Sequence, residues 1–364
     1  MNVCLLGNGL TNIVLAKNLV KKKINVDLFY RKKILESNSV RTIGITQENV
    51  NFLKKNVFDV EKRLWSINNI KIFNEFNKNI EILNFDSFNE SRISIVKNNE
   101  IYSLIEKSLI KEKNFSKKII KNNSFYSSII LNKKYDLIIN SELNNEISKK
   151  FFFNKIYKKY NSSAYTTIIK HEKCINKTAV QIFTKNGPLA FLPLSETETS
   201  IVFSILENKN PINKKKLKDL IFKYNNQYQI KSFYKFKKFN LKFSFLRNYY
   251  HNNILCFGDN LHQIHPLAGQ GFNMTIRDIK MLSQLIDERL ELGLPLDSSV
   301  AKKFEQKIKH LNFIFGFGID FINEFFYFDN KLENNYSNKI FKLLGKNKFF
   351  INYISKLANR GLAV

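Results

Sequence analysis

The first thirty residues constrain the chain more than any other stretch. Val3-Cys4-Leu5-Leu6 is a short apolar run, and it predicts a buried strand. Gly7-Asn8-Gly9-Leu10-Thr11-Asn12 follows, then apolar residues at helical spacing from Ile13 to Leu19, then a second strand over Asn25 to Tyr30. Gly7 permits a tight turn, and Gly9 lets a phosphate come close to the backbone. The helix behind them points unpaired N–H groups and a positive dipole end at that phosphate. Strand, glycine turn, helix and strand in this order form a dinucleotide-binding unit of an α/β fold. Two positions depart from it: Asn12 stands where a third glycine would let helix and strand pack closely, and Tyr30 where a carboxylate would hold ribose hydroxyls. The plainer alternative is a glycine turn in an ordinary α/β unit. With a strand starting at Val3, no cleavable signal segment is expected ahead of it.

A second such turn lies far downstream. Ile254-Leu255-Cys256-Phe257 predicts a buried strand that runs into Gly258-Asp259 and on to Asn273. A long helix is expected next, with Met274, Ile276, Ile279, Leu282, Leu285 and Ile286 at helical spacing and Gly293 and Pro295 as stop signals. A carboxylate just past a strand end can accept hydrogen bonds from sugar or ribityl hydroxyls. Pro266 stiffens the approach, and Gly269 and Gly271 leave room for a flat ligand against the backbone. The helix N-terminus there would stabilise negative charge on that ligand. His262 and His265 lack a third ligand nearby, so no metal site is expected. Two readings stay open for them: orienting substrate or moving a proton, or bonding within a tight loop.

Composition narrows the class. A chain of 364 residues with 44% hydrophobic content has ample material for a core of two or three interleaved parts. Cys4, Cys174 and Cys256 are too scattered for a disulfide framework, which suits a reducing, cytoplasmic compartment. No apolar run is long enough to span a bilayer. The formal charge of +28 is spread along the whole chain. It reads as compositional drift or as attraction to an anionic membrane surface; no nucleic-acid-binding motif accompanies it.

The stretch Gly258 to Asn273 resembles the Gly-Asp and His-Pro-x-Ala-Gly-Gln-Gly-x-Asn elements of the class A flavin monooxygenases, and within them the ubiquinone-biosynthesis hydroxylases. Ser39 to Thr46, with Arg41, is similar to that family's arginine loop. The run Gly187-Pro188-Leu189-Ala190-Phe191-Leu192-Pro193-Leu194, with Ala164 to Thr167 before it, is similar to the substrate-domain sheet of the same subfamily. The match weakens at Asn99, in place of an arginine, and at Glu142-Leu143, in place of Asp-Gly; the region from Lys111 to Tyr135 looks short.

The resemblance implies a Rossmann-like FAD-binding domain of the para-hydroxybenzoate hydroxylase type, interleaved with a β-sheet substrate domain and followed by C-terminal helices. The expected division is 1–75, 92–147 and 246–300 for the first, 76–91 and 148–245 for the second, and 301–364 for the helices. It implies FAD held by Gly7, Gly9, Arg41, Asp259, Pro266, Gly269, Gln270, Gly271 and Asn273, with Asp259 on the ribityl chain; Arg277 and Asp278 continue the match. It also implies NAD(P)H or another electron donor, O2, and a polyprenylated phenol. Oxygen would pass to the ring from a flavin C4a-hydroperoxide, so no side chain is assigned as catalytic and only His262 and His265 are candidates on the substrate side. The apolar run Gly187 to Leu194 would wall the ring and its tail. A degenerate homologue that serves as a partner in a biosynthetic complex is the other reading. The aromatic spacing of Phe313, Phe317, Phe321 and Phe325 predicts a helical bundle on the main body, with Leu343 to Leu362 either packing in it or lying on a membrane surface.

Overall fold

The computed structural model describes residues 1–31, 41–75, 93–207, 212–266 and 269–332, and the backbone alone of 81–84. Two large sheets and one small one organise these residues. The first strand, β1 (Asn2–Leu6), lies at the centre of a six-stranded sheet. β2 (Asn25–Tyr30) and then β8 (Phe115–Ile119) stand on one side of it. β9 (Leu137–Asn140), β17 (Ile254–Cys256) and β16 (Tyr250–His251) follow in turn on the other. All neighbours are parallel except β16 with β17. A central parallel strand is covered on both faces, which is why Val3 to Leu6 is continuously apolar and fully buried.

Helix α1 (Leu10–Lys21) packs between α3 (Asn98–Leu109) and α7 (Gln270–Glu291). Enclosed on these sides, it buries even Lys17, whose ammonium reaches Glu112 at 2.6 Å. From α3 to β9 the chain makes only β8 and α4 (Ser124–Leu131), consistent with the short look of that region.

The second large sheet has nine strands. Its centre is β10 (Lys155–His171), β13 (Glu198–Leu206), β12 (Gly187–Pro193) and β11 (Thr178–Thr184), all antiparallel. β5 (Asn69–Asn74) joins β11 in parallel, and β15 (Lys237–Leu246) joins the far side of β10. Strand alternation divides the run Gly187 to Leu194 between two faces. Leu189 and Phe191 pack with Leu217 and Ile221 of α6 (Lys214–Tyr224). Leu192 and Leu194 face the other way, with Ala179, toward Ile67, Ile93 and Ile95. The run is therefore not one apolar wall, because only every second residue can face a given side. Ile93 and Ile95 belong to β7 (Ile93–Lys97), the middle of a three-stranded sheet with β3 (Thr42–Thr46) and β4 (Trp65–Ile67).

Among the described residues the C-terminal part contributes one helix, α8 (Ser298–Leu332), which packs on the main body as expected; the rest of the expected bundle lies outside the described residues. No proline interrupts α8, and one of its two glycines serves packing. A Cβ on Gly316 would lie 2.1 Å from the Phe245 ring, so only glycine lets the helix settle on that ring. Ser39, Val40, Leu267, Ala268 and Leu343 to Leu362 lie outside the described residues.

Candidate functional site

Because β1, β9 and β17 are parallel neighbours, their C-terminal ends open at one sheet edge. The turn Gly7-Asn8-Gly9, the residues Ser141-Glu142 and the pair Gly258-Asp259 meet there. A Cβ on Gly7 would sit 2.9 Å from Ser141 Oγ, and one on Gly258 would sit 3.0 Å from Thr11 Cγ2 at the head of α1. Ligands of such sheets bind in the crevice beyond this edge.

Gly9 is the N-cap of α1; no side chain caps the helix, no acidic residue lies in its first turn, and the space where a Cβ would stand is open. Gly7 has φ +110° and needs to be glycine. Asn12, the expected third glycine, is wholly buried, and its Nδ2 donates to the Leu6 and Gly7 carbonyls at 2.9 and 2.8 Å. It clamps the turn from behind and so replaces close packing with side-chain hydrogen bonds.

The end of β2 is rebuilt rather than vacant. Lys117 stands 4.7 Å over the Tyr30 ring, and the Tyr102 hydroxyl donates to Asn8 Oδ1 at 2.5 Å. Glu142 accepts from the Tyr126 hydroxyl at 2.6 Å and lies 3.7 Å from Arg31. Burial and the Glu142 carboxylate both push the Tyr126 pKa up, keeping that phenol a donor. Asn99 heads α3 with its Oδ1 buried and unpaired. Arg41 is exposed; its carbonyl accepts from Asn98 N at 2.9 Å, and its guanidinium makes no hydrogen bond among the described residues.

The downstream turn connects both large sheets. From Asp259 the chain enters β18 (His262–Gln263), which pairs with β15, and then starts α7. Asp259 is exposed and has no ion pair or hydrogen bond among the described residues. Gly269 caps α7 in the left-handed region at φ +66°, and a Cβ there would lie 3.2 Å from Gly44 N in β3. Pro266 accepts at its carbonyl from Gly269 N at 3.4 Å. The head of α7 has no side-chain cap and no acid, and a Cβ on Gly271 would meet open space. Gln270 is buried with its Oε1 unpaired.

Asn273 is committed to the protein. Its Oδ1 accepts from Thr46 N at 3.1 Å and Asn49 Nδ2 at 2.9 Å, and its Nδ2 donates to the Gly44 carbonyl at 3.0 Å. It holds α7 against β3 rather than reaching into the crevice with its side chain. His262 is likewise committed, 2.6 Å from Asp278 Oδ2 with both side chains buried; Arg277 bonds Asn312 of α8. His265 differs. It is buried with Nδ1 unpaired, edge-on to Tyr160 at 5.3 Å between centroids. Burial lowers its pKa to about 4, so the imidazole is neutral at pH 7. Tyr160, whose hydroxyl is buried, carries no local signal in the sequence that would have singled it out.

Residues 166–291 match the FAD binding domain family. A mitochondrial ubiquinone biosynthesis monooxygenase of Caenorhabditis elegans is 23% identical over 248 residues, 54% of this chain and 54% of the relative. The 3-demethoxyubiquinol 3-hydroxylase of Escherichia coli K12 is 30% identical over 146 residues, 38% of this chain and 37% of the relative. Over part of its length the chain is therefore similar to enzymes of ubiquinone biosynthesis. It covers 30%, 54% and 33% of the length of three of the curated relatives it matches. Among solved structures, the p-nitrophenol 4-monooxygenase of Pseudomonas putida superposes with a TM-score of 0.77 at 12% identity, covering 100% of this chain and 98% of the other. 2-Methyl-3-hydroxypyridine-5-carboxylic acid oxygenase gives 0.68 at 12% identity, covering 99% and 96%. The fold is that of the class A FAD monooxygenases, as the resemblance implied.

Proposed function

We propose that the chain binds FAD across the crevice and hydroxylates the aromatic ring of a ubiquinone precursor, with O2 and an external electron donor such as NAD(P)H as co-substrates. The observation that carries this reading is the meeting of the uncapped, acid-free N-terminus of α1 with Asp259, which has no partner among the described residues, at one sheet edge; a second uncapped, acid-free helix head, that of α7, follows in the same chain segment. The residues suit the group. Open space at Gly9 and Gly271 accommodates phosphate and flat ring without a side chain between, and the buried Oε1 of Gln270 lacks a partner within the protein. Gly7 and Gly9 would take the pyrophosphate, with Arg41 near it, and Asp259 the ribityl hydroxyls. The backbone from Pro266 to Gly271 would border the ring system. Asn273 supports that loop from behind.

Flavin, when bound, supplies the activation of O2 for oxygen transfer to an electron-rich ring. The protein's share is position, exclusion of water and electrostatics. The head of α7 would stabilise negative charge on the reduced ring. The neutral His265 beside Pro266 would accept the phenolic proton or a hydrogen bond from it. The domain division given by sequence accompanies this reading, as do a polyprenylated substrate, a biosynthetic assembly and contact with an anionic membrane face. No described helix is long and apolar enough to cross a membrane. The intact downstream loop favours an active site over a degenerate one, and Asn12 removes one of the apparent defects.

The visible spectrum tests this. Purified protein is expected to show flavin bands near about 370 and 450 nm with roughly one FAD per chain. Protein that is colourless and takes up no added FAD would sink the proposal.

A further inference from the structure

Helix α8 has a surface that the flavin crevice does not use. Its inner face runs through Phe304, Ile308, Asn312, Gly316 and Ile319, all buried. The opposite face changes character along its length. Its first half shows Lys302, Lys303 and Lys307 to solvent. Its second half shows Ile314, Phe321 and Phe328, with Phe321 70% and Phe328 61% exposed, while the half-exposed Phe317 packs its ring on Phe243 at 5.1 Å between centroids. Spacings of seven residues keep these three exposed side chains on one stripe. From Ile314 to Phe328 it is about 21 Å long, at about 1.5 Å per residue.

The charges along this face are arranged in the same sense. Lys302 and Lys303 have no ion pair among the described residues, and Lys307 only a distant one to Glu288 at 3.8 Å. Among the described residues the acids nearest the stripe, Asp320 and Glu324, share Lys158 of β10 at 3.1 and 3.0 Å, which offsets one of their two charges. The face therefore presents free cations, then bulky apolar groups, with its described carboxylates drawn toward β10. Water is a poor partner for the second half, and a contiguous apolar strip of this kind marks a contact surface. A helix with cations beside aromatic side chains lies well in the plane of a bilayer interface, cations at phosphate level and rings at the acyl boundary. An anionic headgroup layer also matches the chain's +28 charge.

We propose that this face of α8 docks on an anionic phospholipid bilayer, with Lys302, Lys303 and Lys307 on the headgroups and the Ile314–Phe328 stripe at the acyl boundary. It gives a location to the membrane contact suggested above and rests on that part of the reading alone, not on flavin binding.

Flotation of the full chain with vesicles tests it. The chain is expected to float with phosphatidylcholine vesicles carrying about 30% phosphatidylglycerol and to float several-fold less with phosphatidylcholine alone. Phe321→Ser with Phe328→Ser should cut the floated fraction roughly fivefold, because exposed rings can be removed without opening the core. Lys302→Glu with Lys303→Glu should do the same on anionic vesicles only. Far-UV circular dichroism and bound flavin, read on the same samples, should not change. Undiminished flotation of the double Phe variant overturns the proposal, as does a wild-type chain that stays with the protein fraction. A concentration-dependent dimer that does not float, and that the Phe substitutions dissolve, would give this face to a second copy and overturn it as well. A colourless chain that floats as expected leaves the docking standing and removes only the flavin reading.

Discussion

Two glycine turns, one at the edge of the parallel sheet and one against the small sheet, hold their shape by different means. Around Gly7 and Gly9 the turn is kept by side chains: Asn12 bonds two carbonyls behind it, and Tyr102 bonds Asn8 beside it. At Gly269 the backbone itself comes close to Gly44, and Asn273 ties the helix to β3 with two buried hydrogen bonds and to Asn49 with a third. Side-chain clamps can be exchanged during sequence change because several residue types reach the same carbonyls. A glycine-on-glycine approach cannot, because any Cβ fills the gap.

The contrast can be broken in graded ways. Asn273→Ala should have the largest effect. It leaves the Gly44 carbonyl, Thr46 N–H and Asn49 amide without their partner in the interior, at a cost of about 3 to 5 kcal/mol, and flavin should be lost with the loop. Denaturant melts and flavin content measure both; retention of flavin at wild-type stability would show that the loop does not depend on this tie.

His265 comes next. Its folded pKa of about 4 lies below the ordinary 6.5, so the unfolded chain binds its proton first as pH falls. The stability that comes from keeping it neutral is complete above pH 6.5 and is lost on the way down to about pH 4. A shift of this size corresponds to about 3 kcal/mol. Unfolding midpoints at pH 7 and 4.5 should therefore differ less in His265→Asn than in wild type, and equal pH dependence would count against a buried neutral imidazole.

Asp259→Ala should weaken FAD binding at least about tenfold, which is roughly 1.4 kcal/mol. Stability should stay unchanged, since the carboxylate is exposed and unpaired. Fluorescence titration with FAD reads this directly, and unaltered affinity would move the ribityl site elsewhere.

The smallest effect is expected at the upstream clamp. Asn12→Ala should cost about 1 to 2 kcal/mol of stability yet change FAD affinity little, because the amide points away from the crevice to Leu6 and Gly7. A large loss of affinity at full stability would show that Asn12 contacts the cofactor after all.

Much of this was open to sequence reading because it rests on local periodicity. Continuous apolar runs at Val3 and Ile254 announced buried strands, and the spacing after Asn273 announced α7. Glycine positions marked both turns. What escaped was set by contacts between distant segments. Nothing near Glu142 in the chain shows that Tyr126 and Arg31 hold it. His262 and His265 share one short loop, but only the arrival of Asp278 from α7 separates a paired imidazole from an unpaired one. The run Gly187 to Leu194 looked like a single wall until strand alternation split it between α6 and the small sheet.

By itself, then, the sequence determined the two glycine turns and the strand–helix order, because steric freedom at glycine and the periods of helix and strand are properties of the local chain. Only the tertiary structure decided which polar side chains are free. Availability depends on whether a partner arrives from elsewhere, and long-range packing, not neighbouring sequence, brings Asp278 to His262, Gly44 to Asn273 and, among the described residues, no partner to Asp259.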